Sequence, residues 1–281
     1  MTSDHHTGSR RRFLTGALTA AAAAAGSGLL LLRPSHNDTP GTGASAATPR
    51  PGPPGRPAPH SEAFRLRPIA GDSSMGEPPH HPQVRTQAEE ILPGARHAIA
   101  LTFDDGPHPD NTPRVLSALR KHKVQATFFV IGENAAAFPH LVHAIAADGH
   151  VVGNHSYTHP QLTRLSADRV KDELGRTSDV IDRILGSPPQ WCRAPYGDWD
   201  AASLQICAEL EMEPLGWSID TLDWARPGVT SIEDAVTRNI RPGSIILQHD
   251  GGGDRSQTVR AVTDYLPGLL NDGYRFVRPR T

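Results

Sequence analysis

Two histidines four residues apart, His155 and His159, occur in a chain that also carries the carboxylate pair Asp104-Asp105. On a helical turn the i, i+4 spacing puts both imidazoles on one face, at metal-binding distance. Asp105 then supplies the third ligand of a two-histidine, one-carboxylate set with positions left open for water and substrate. That donor set suits zinc-assisted hydrolysis and iron-dependent oxygenation alike, so ligand type does not choose the reaction. Asp104 could face the attacking water while its neighbour binds metal. Arg193, a permanently charged fork, could pair with Asp104 and hold it ionised as a general base. Taken alone, Asp104-Asp105-Gly106-Pro107 also reads as a plain turn, since all four residue types favour turns.

His249 closes an apolar run and is open to three readings: a core histidine, a further metal ligand or a general acid. Asp223 could orient its ring and stabilise its protonated form. Of the four tryptophans, Trp224 stands where an exposed ring would stack on a sugar. Cys192 and Cys207 are the only cysteines, and in an exported chain an even number allows a disulfide whose existence geometry decides.

These residues act together only if the fold collects them. After residue 94 short β-rich runs alternate with helical patterns, which predicts strands over 98–103, 124–131, 150–154, 191–194, 215–219, 244–248 and 274–277. Helices are predicted near 113–122, 134–148, 166–186, 200–211, 232–240 and 257–271, with Thr112-Pro113 and Ser231-x-x-Asp234 as starts. The alternation argues for parallel βα units. About seven units favour a distorted or incomplete (β/α) barrel over a regular eightfold one, with an open doubly wound sheet as the alternative. The polar residues named above then fall at the C-terminal ends of successive strands, on one rim. No glycine-rich fingerprint follows the first strand, so a dinucleotide site has no support.

The chain has 281 residues, 28 Lys+Arg against 30 Asp+Glu and 37% hydrophobic residues, with a mean hydropathy of -0.42. A net charge of -2 offers no positive field for nucleic acid. The composition excludes a polytopic membrane protein. Ser9-Arg10-Arg11-Arg12-Phe13-Leu14-Thr15 and the uncharged run 13–32 resemble a twin-arginine export signal, with Ala44-Ser45-Ala46 as a small-residue cleavage site. A retained single-span anchor is the other reading, and both put the rest of the chain outside the membrane. No Cys directly follows the apolar run, which argues against a lipid anchor. Residues 34–93 hold 13 of the 26 prolines and few large apolar side chains, so a spacer is expected there. His80-His81 in that tract is read as spacer rather than metal site. The expected organisation is a signal or anchor over 1–46, a disordered Pro/Gly-rich linker over 47–94 and a catalytic domain over 95–281.

Five stretches, in order, complete the picture: Thr102-Phe103-Asp104-Asp105-Gly106-Pro107, His155-Ser156-Tyr157-Thr158-His159, Arg193-Ala194-Pro195-Tyr196-Gly197, Asp220-Thr221-Leu222-Asp223-Trp224 and Leu247-Gln248-His249. They resemble the five motifs of the polysaccharide deacetylases, carbohydrate esterase family 4, with the NodB homology domain. The resemblance covers about residues 96–280. It implies a distorted (β/α) barrel holding a divalent metal, usually Zn²⁺ with Co²⁺ or Mn²⁺ as alternatives, through Asp105, His155 and His159. It further implies Asp104 as general base, His249 as general acid, Arg193 against Asp104 and Asp223 as the partner of His249. The backbone N–H of Tyr196 would help bind the oxyanion, and Leu247 and Trp224 would line the pocket for the acetyl methyl. The implied partner is an acetylated polysaccharide, either peptidoglycan or a chitin-type chain. The run 251–258 looks like that of bacterial cell-wall members. Acetylxylan O-deacetylation is the nearest alternative, and a non-catalytic carbohydrate-binding protein or an Fe²⁺ oxygenase are the readings from other classes.

Overall fold

The computed structural model describes residues 82–280. The paired arginines, the apolar run, the cleavage site and His80-His81 lie outside the described residues. Among the described residues no helix is long and apolar enough to cross a membrane.

β1 (Ala98–Gly106) is the centre of the sheet, and its run of alanine, isoleucine, leucine and phenylalanine is buried on both faces as a parallel strand requires. Ile99, Leu101 and Phe103 pack with the apolar stripes of α1 (Thr112–His122), α6 (Val229–Thr237) and α7 (Ser256–Asn271). Each such side chain contributes about 1.5–3 kcal/mol of burial. The alternate residue Ala100 meets Phe129, Trp191, Leu215 and Ile245 in a second cluster. Flanking β1 are β2 (Thr127–Val130) and β7 (Ile245–His249), with β3 (Val151–Asn154), β4 (Trp191–Cys192) and β5 (Glu213–Pro214) beyond β2 and β6 (Ile219–Asp220) beyond β7. The order is β5-β4-β3-β2-β1-β7-β6, all parallel, and β8 (Arg275–Phe276) pairs with Ala98 and Ile99 at the start of β1. The expected half-closed (β/α) architecture is thus what the chain adopts.

Curvature follows from one connection. β5 and β6 are the two ends of the strand order, yet only residues 215–218 separate them. The five peptide steps from Pro214 to Ile219 reach at most ~18 Å. The sheet must therefore curl until its ends nearly meet. Of the single strand predicted over 215–219 only Ile219 pairs in the sheet, as the start of β6; residues 215–218 cross the seam, where Leu215 is buried and Trp217 half-buried. The helix predicted over 134–148 is two helices, α2 (Gly132–Ala137) and α3 (Pro139–Ala147), because Pro139 has no N–H to continue the first and suits the start of the second. α6 begins before Ser231, whose hydroxyl donates back to the Pro227 carbonyl instead of capping. The starts predicted for α1 and for α4 (Ala167–Leu185) lie within a residue of those observed, and α5 (Ala201–Glu209) opens on a capping box between Asp200 and Ser203.

The linker expected to run to residue 94 ends earlier. Glu89 bridges Leu215 and Ile91 bridges Ser244, with the Glu89 N–H donating to Pro214 O at 3.0 Å and the Gly216 N–H to Glu89 O at 2.8 Å. Arg85 pairs with Glu213 at 2.7 Å. The edge of β5 needs backbone partners, and this segment supplies them.

Candidate active site

Residues 100, 102 and 104 of β1 share a face by strand alternation, so Asp105 would be expected to face the other way. Its φ of 70° and the register shift against β2 between Asp104 and Gly106 turn it back. Both carboxylates can then serve one site, which a regular strand forbids. The Asn134 amide donates to the Asp105 carbonyl at 3.0 Å. From the other side Gly251 and Gly252 press against Asp105, since a Cβ on Gly251 would lie 1.9 Å from its carbonyl oxygen and one on Gly252 2.7 Å from its carboxylate. Glycine is required here by close approach.

His155 and His159 follow β3, but not on a helical turn. Ser156 and His159 have φ of 64° and 60°, and this pair of left-handed residues brings the rings to 5.0 Å between centroids. Glu173 of α4, itself buried, holds the loop by accepting from Tyr157 N at 2.9 Å, Thr158 N at 2.7 Å and Thr158 Oγ1 at 2.9 Å. His155 Nδ1 lies 2.7 Å from the Arg193 carbonyl, which fixes a proton there and turns Nε2 toward Asp105. Nε2 of His155 and of His159 lie 3.4 and 3.2 Å from Asp105 Oδ1, a buried oxygen without a hydrogen-bond partner among the described residues. Burial pushes the Asp105 carboxyl up, but the two imidazoles outweigh it and hold it far below the usual carboxylate range. Burial lowers His155, and the Asp104 and Asp105 charges more than reverse that. Three donor atoms within 4.8 Å of one another, two of them ring nitrogens and one a carboxylate oxygen without a hydrogen-bond partner among the described residues, fit a divalent cation.

Asp104 Oδ1 accepts from Arg193 Nη1 at 2.8 Å. The Arg193 side chain is fully buried, and its remaining donors reach Thr102 Oγ1 at 2.7 Å, Leu215 O at 3.1 Å and Gly216 O at 2.7 Å. Its guanidinium also lies over the Phe129 ring at 4.3 Å. With four of its five N–H groups bonded and a carboxylate beside it, this buried cation is held rigidly in place. On the other side of β1, His249 ends β7 opposite Asp104 in the register. Its Nδ1 is 2.7 Å from Asp223 Oδ1, while Asp223 Oδ2 accepts from the His249 N–H and from Thr258. Burial alone would lower His249, but Asp223, with Asp104 and Asp105 behind it, raises its pKa to about 9.

The turn at 195–197 presents Tyr196 with a φ of 63°, 68% exposed, its ring meeting His159 at 4.9 Å. Trp224 is exposed after β6, whereas Leu247 is buried within β7. Cys192 and Cys207 are buried free thiols, not a disulfide. The run 251–258 serves the rim throughout. Arg255 donates to Gly251 O, Gly252 O and Trp224 O, and Gln257 accepts from Gly228 N. Arg255 and Thr258 lie in the run 251–258 that the sequence marks as a whole without a role for either, and Glu173 went unmarked because it meets the cluster only through the 157–158 backbone and hydroxyl. Its signal was a charge on the apolar stripe of α4 beside Val170, Leu174 and Thr177.

A parallel half-barrel whose rim holds a cation-ready donor set, with a carboxylate and a histidine each separately partnered, is the architecture of a water-activating hydrolase. A family model described as polysaccharide deacetylase matches residues 92–215. The chain is 41% identical over 180 residues to a peptidoglycan-N-acetylglucosamine deacetylase of Bacillus cereus, covering 64% of this chain and 66% of that protein. It is 43% identical over 189 residues to a chitooligosaccharide deacetylase of Bradyrhizobium sp., covering 63% of this chain and 86% of that one. A solved peptidoglycan N-acetylglucosamine deacetylase superposes with a TM-score of 0.66 at 39% identity, over 68% of this chain and 89% of its own. The chain belongs to the polysaccharide deacetylase family, whose members are carbohydrate-directed hydrolases.

Proposed function

We propose that this is an exported, metal-dependent deacetylase that removes N-acetyl groups from GlcNAc- or MurNAc-containing polymers, either peptidoglycan or chitin-type chains, and releases acetate. The observation that carries the reading is the placement around β1: the Asp105, His155 and His159 cluster toward β3, with His249 and Asp223 toward β7 and Asp104 between them. A divalent cation held by Asp105, His155 and His159, most simply zinc, would polarise the acetamide carbonyl and acidify a water. Asp104, positioned by Arg193, takes the proton from the attacking water. The Tyr196 N–H helps hold the oxyanion as water adds to the carbonyl carbon. His249 donates its proton to the sugar nitrogen as the C–N bond breaks, because an amine leaves poorly unless protonated. Leu247 and Trp224 line the space for the methyl group. Water is consumed, and acetate and a free amino sugar are the products. Export rests on the paired arginines and the run 13–32.

The test is acetate release by the full chain from peptidoglycan, chitooligosaccharides and acetylxylan side by side, with chelator and Zn²⁺ add-back. Release abolished by chelator and restored by zinc supports the reading, and the ranking identifies the polymer. An intact, metal-loaded protein that releases nothing from any of the three would refute it.

A further inference from the structure

The two histidines of the donor set are held differently. His155 is buried, and its second ring nitrogen is fixed by the Arg193 carbonyl at 2.7 Å. His159 is the more open of the two, its side chain 24% exposed, and among the described residues no hydrogen bond reaches its Nδ1. A histidine that ligates metal ordinarily has such a partner, which sets the plane of its ring. What meets the His159 ring instead is Tyr196, edge-on at 4.9 Å between centroids. Where Tyr196 sits therefore decides where the His159 ring can sit, and the turn 195–197 that carries Tyr196 is pinned twice. Behind it, Gly197 packs so closely on Trp217 that a Cβ there would lie 2.5 Å from the indole. Beside it, Asp198 Oδ2 accepts from Gln161 Nε2 at 2.6 Å and from Thr163 Oγ1. Those two donors flank Leu162, which is buried in the cluster that holds Cys192 and Ala194, so they are themselves anchored. Pro160 alone separates Gln161 from His159, and its fixed φ makes that step stiff. The contacts form a closed circuit, from His159 along the chain to Gln161, across to Asp198, back to Tyr196 and onto the His159 ring.

We propose that Asp198 is a positioning residue for the donor set, bracing the loop of His159 against the turn of Tyr196 so that the second imidazole keeps its place beside Asp105. The proposal rests on the deacetylase reading where it reaches the Tyr196 N–H, because the same brace fixes that donor relative to the cation-fitting cluster. Asp198 touches no reacting atom and acts only through its neighbours.

The experiment is a zinc competition titration of full-length wild type, Asp198→Ala, Asp198→Asn and Thr163→Val, with Asp200→Ala as a control that removes the cap of α5 nearby. Asp198→Ala should weaken zinc binding about tenfold, the size expected for loss of a ligand's support, and Thr163→Val should weaken it less. Asp198→Asn keeps an oxygen able to accept both bonds and should stay within about threefold of wild type. Asp200→Ala should lower the melting temperature and leave zinc affinity within about twofold. The visible absorption of the Co²⁺-loaded proteins, which reports ligand geometry, should change in Asp198→Ala and not in Asp200→Ala. At saturating zinc, kcat of Asp198→Ala on chitooligosaccharides should fall about tenfold with KM within about twofold. Should Asp198→Ala fail to fold, Thr163→Val carries the test. Wild-type zinc affinity and cobalt absorption in Asp198→Ala would overturn the proposal. Equal weakening in Asp198→Asn would also overturn it by assigning the effect to charge, and equal weakening in Asp200→Ala by assigning it to general loosening. A wild type that releases no acetate from any substrate would instead overturn the deacetylase reading, with the zinc titration still deciding the brace, so the two failures are distinct.

Discussion

Asp104 and Asp105 are neighbours in sequence with different partners, Arg193 for the first and the two histidines for the second, and the difference comes from one left-handed residue. Replacing Asp104 by Asn keeps its shape and removes its basicity, so kcat should fall about 10²–10⁴-fold while zinc content, measured by atomic emission, stays at the wild-type level. His249 gives a pH signature. Its proton is held up to about pH 9, so activity that needs the acid should decline on the alkaline side as pH rises through that value. Asp223→Asn removes the main support, and the limb should move toward the ordinary histidine value of 6.5. The stability linked to the same contact has the same sign: it is complete below about pH 6.5 and is lost as pH rises through about 9. Most of these residues were legible because each closes a predicted strand. What the sequence hid was how two adjacent carboxylates come to share a site, since a φ of 70° at Asp105 leaves no mark in residue type.

At the level of elements, the rim is held by side chains that bond the loops carrying the donor cluster, not the cluster itself. Glu173→Gln keeps the size of the α4 side chain but exchanges charge-assisted hydrogen bonds for weaker ones at Tyr157 and Thr158. The loop carrying both histidines loosens, and zinc affinity in a competition titration should drop about 10–100-fold. Gly251→Ala should be harsher: a methyl 1.9 Å from the Asp105 carbonyl forces the glycine loop off β1, lowering zinc content and acetate release together. Helices were readable from periodicity and proline placement, with the break at Pro139 the main omission. The strand predicted over 215–219 failed for a clear reason. A short buried run looks alike whether it pairs in a ladder or crosses an interior seam.

At the scale of the molecule, the catalytic domain does not begin where its composition changes. Residues 85–92 belong to the sheet by their hydrogen bonds, although proline on either side disguised them as spacer. A fragment starting at residue 95 should unfold at least ~3 °C below one starting at residue 82 in a thermal melt, having lost the partners of the β5 edge. The two oxygens at the start of the seam, those of Leu215 and Gly216, are also the ones that receive Arg193. Closure of the sheet and delivery of a counter-ion to Asp104 are therefore a single event. A chain whose ends have not met lacks two of the acceptors that hold the Arg193 guanidinium, so the cation beside Asp104 is fully fixed only in the closed sheet.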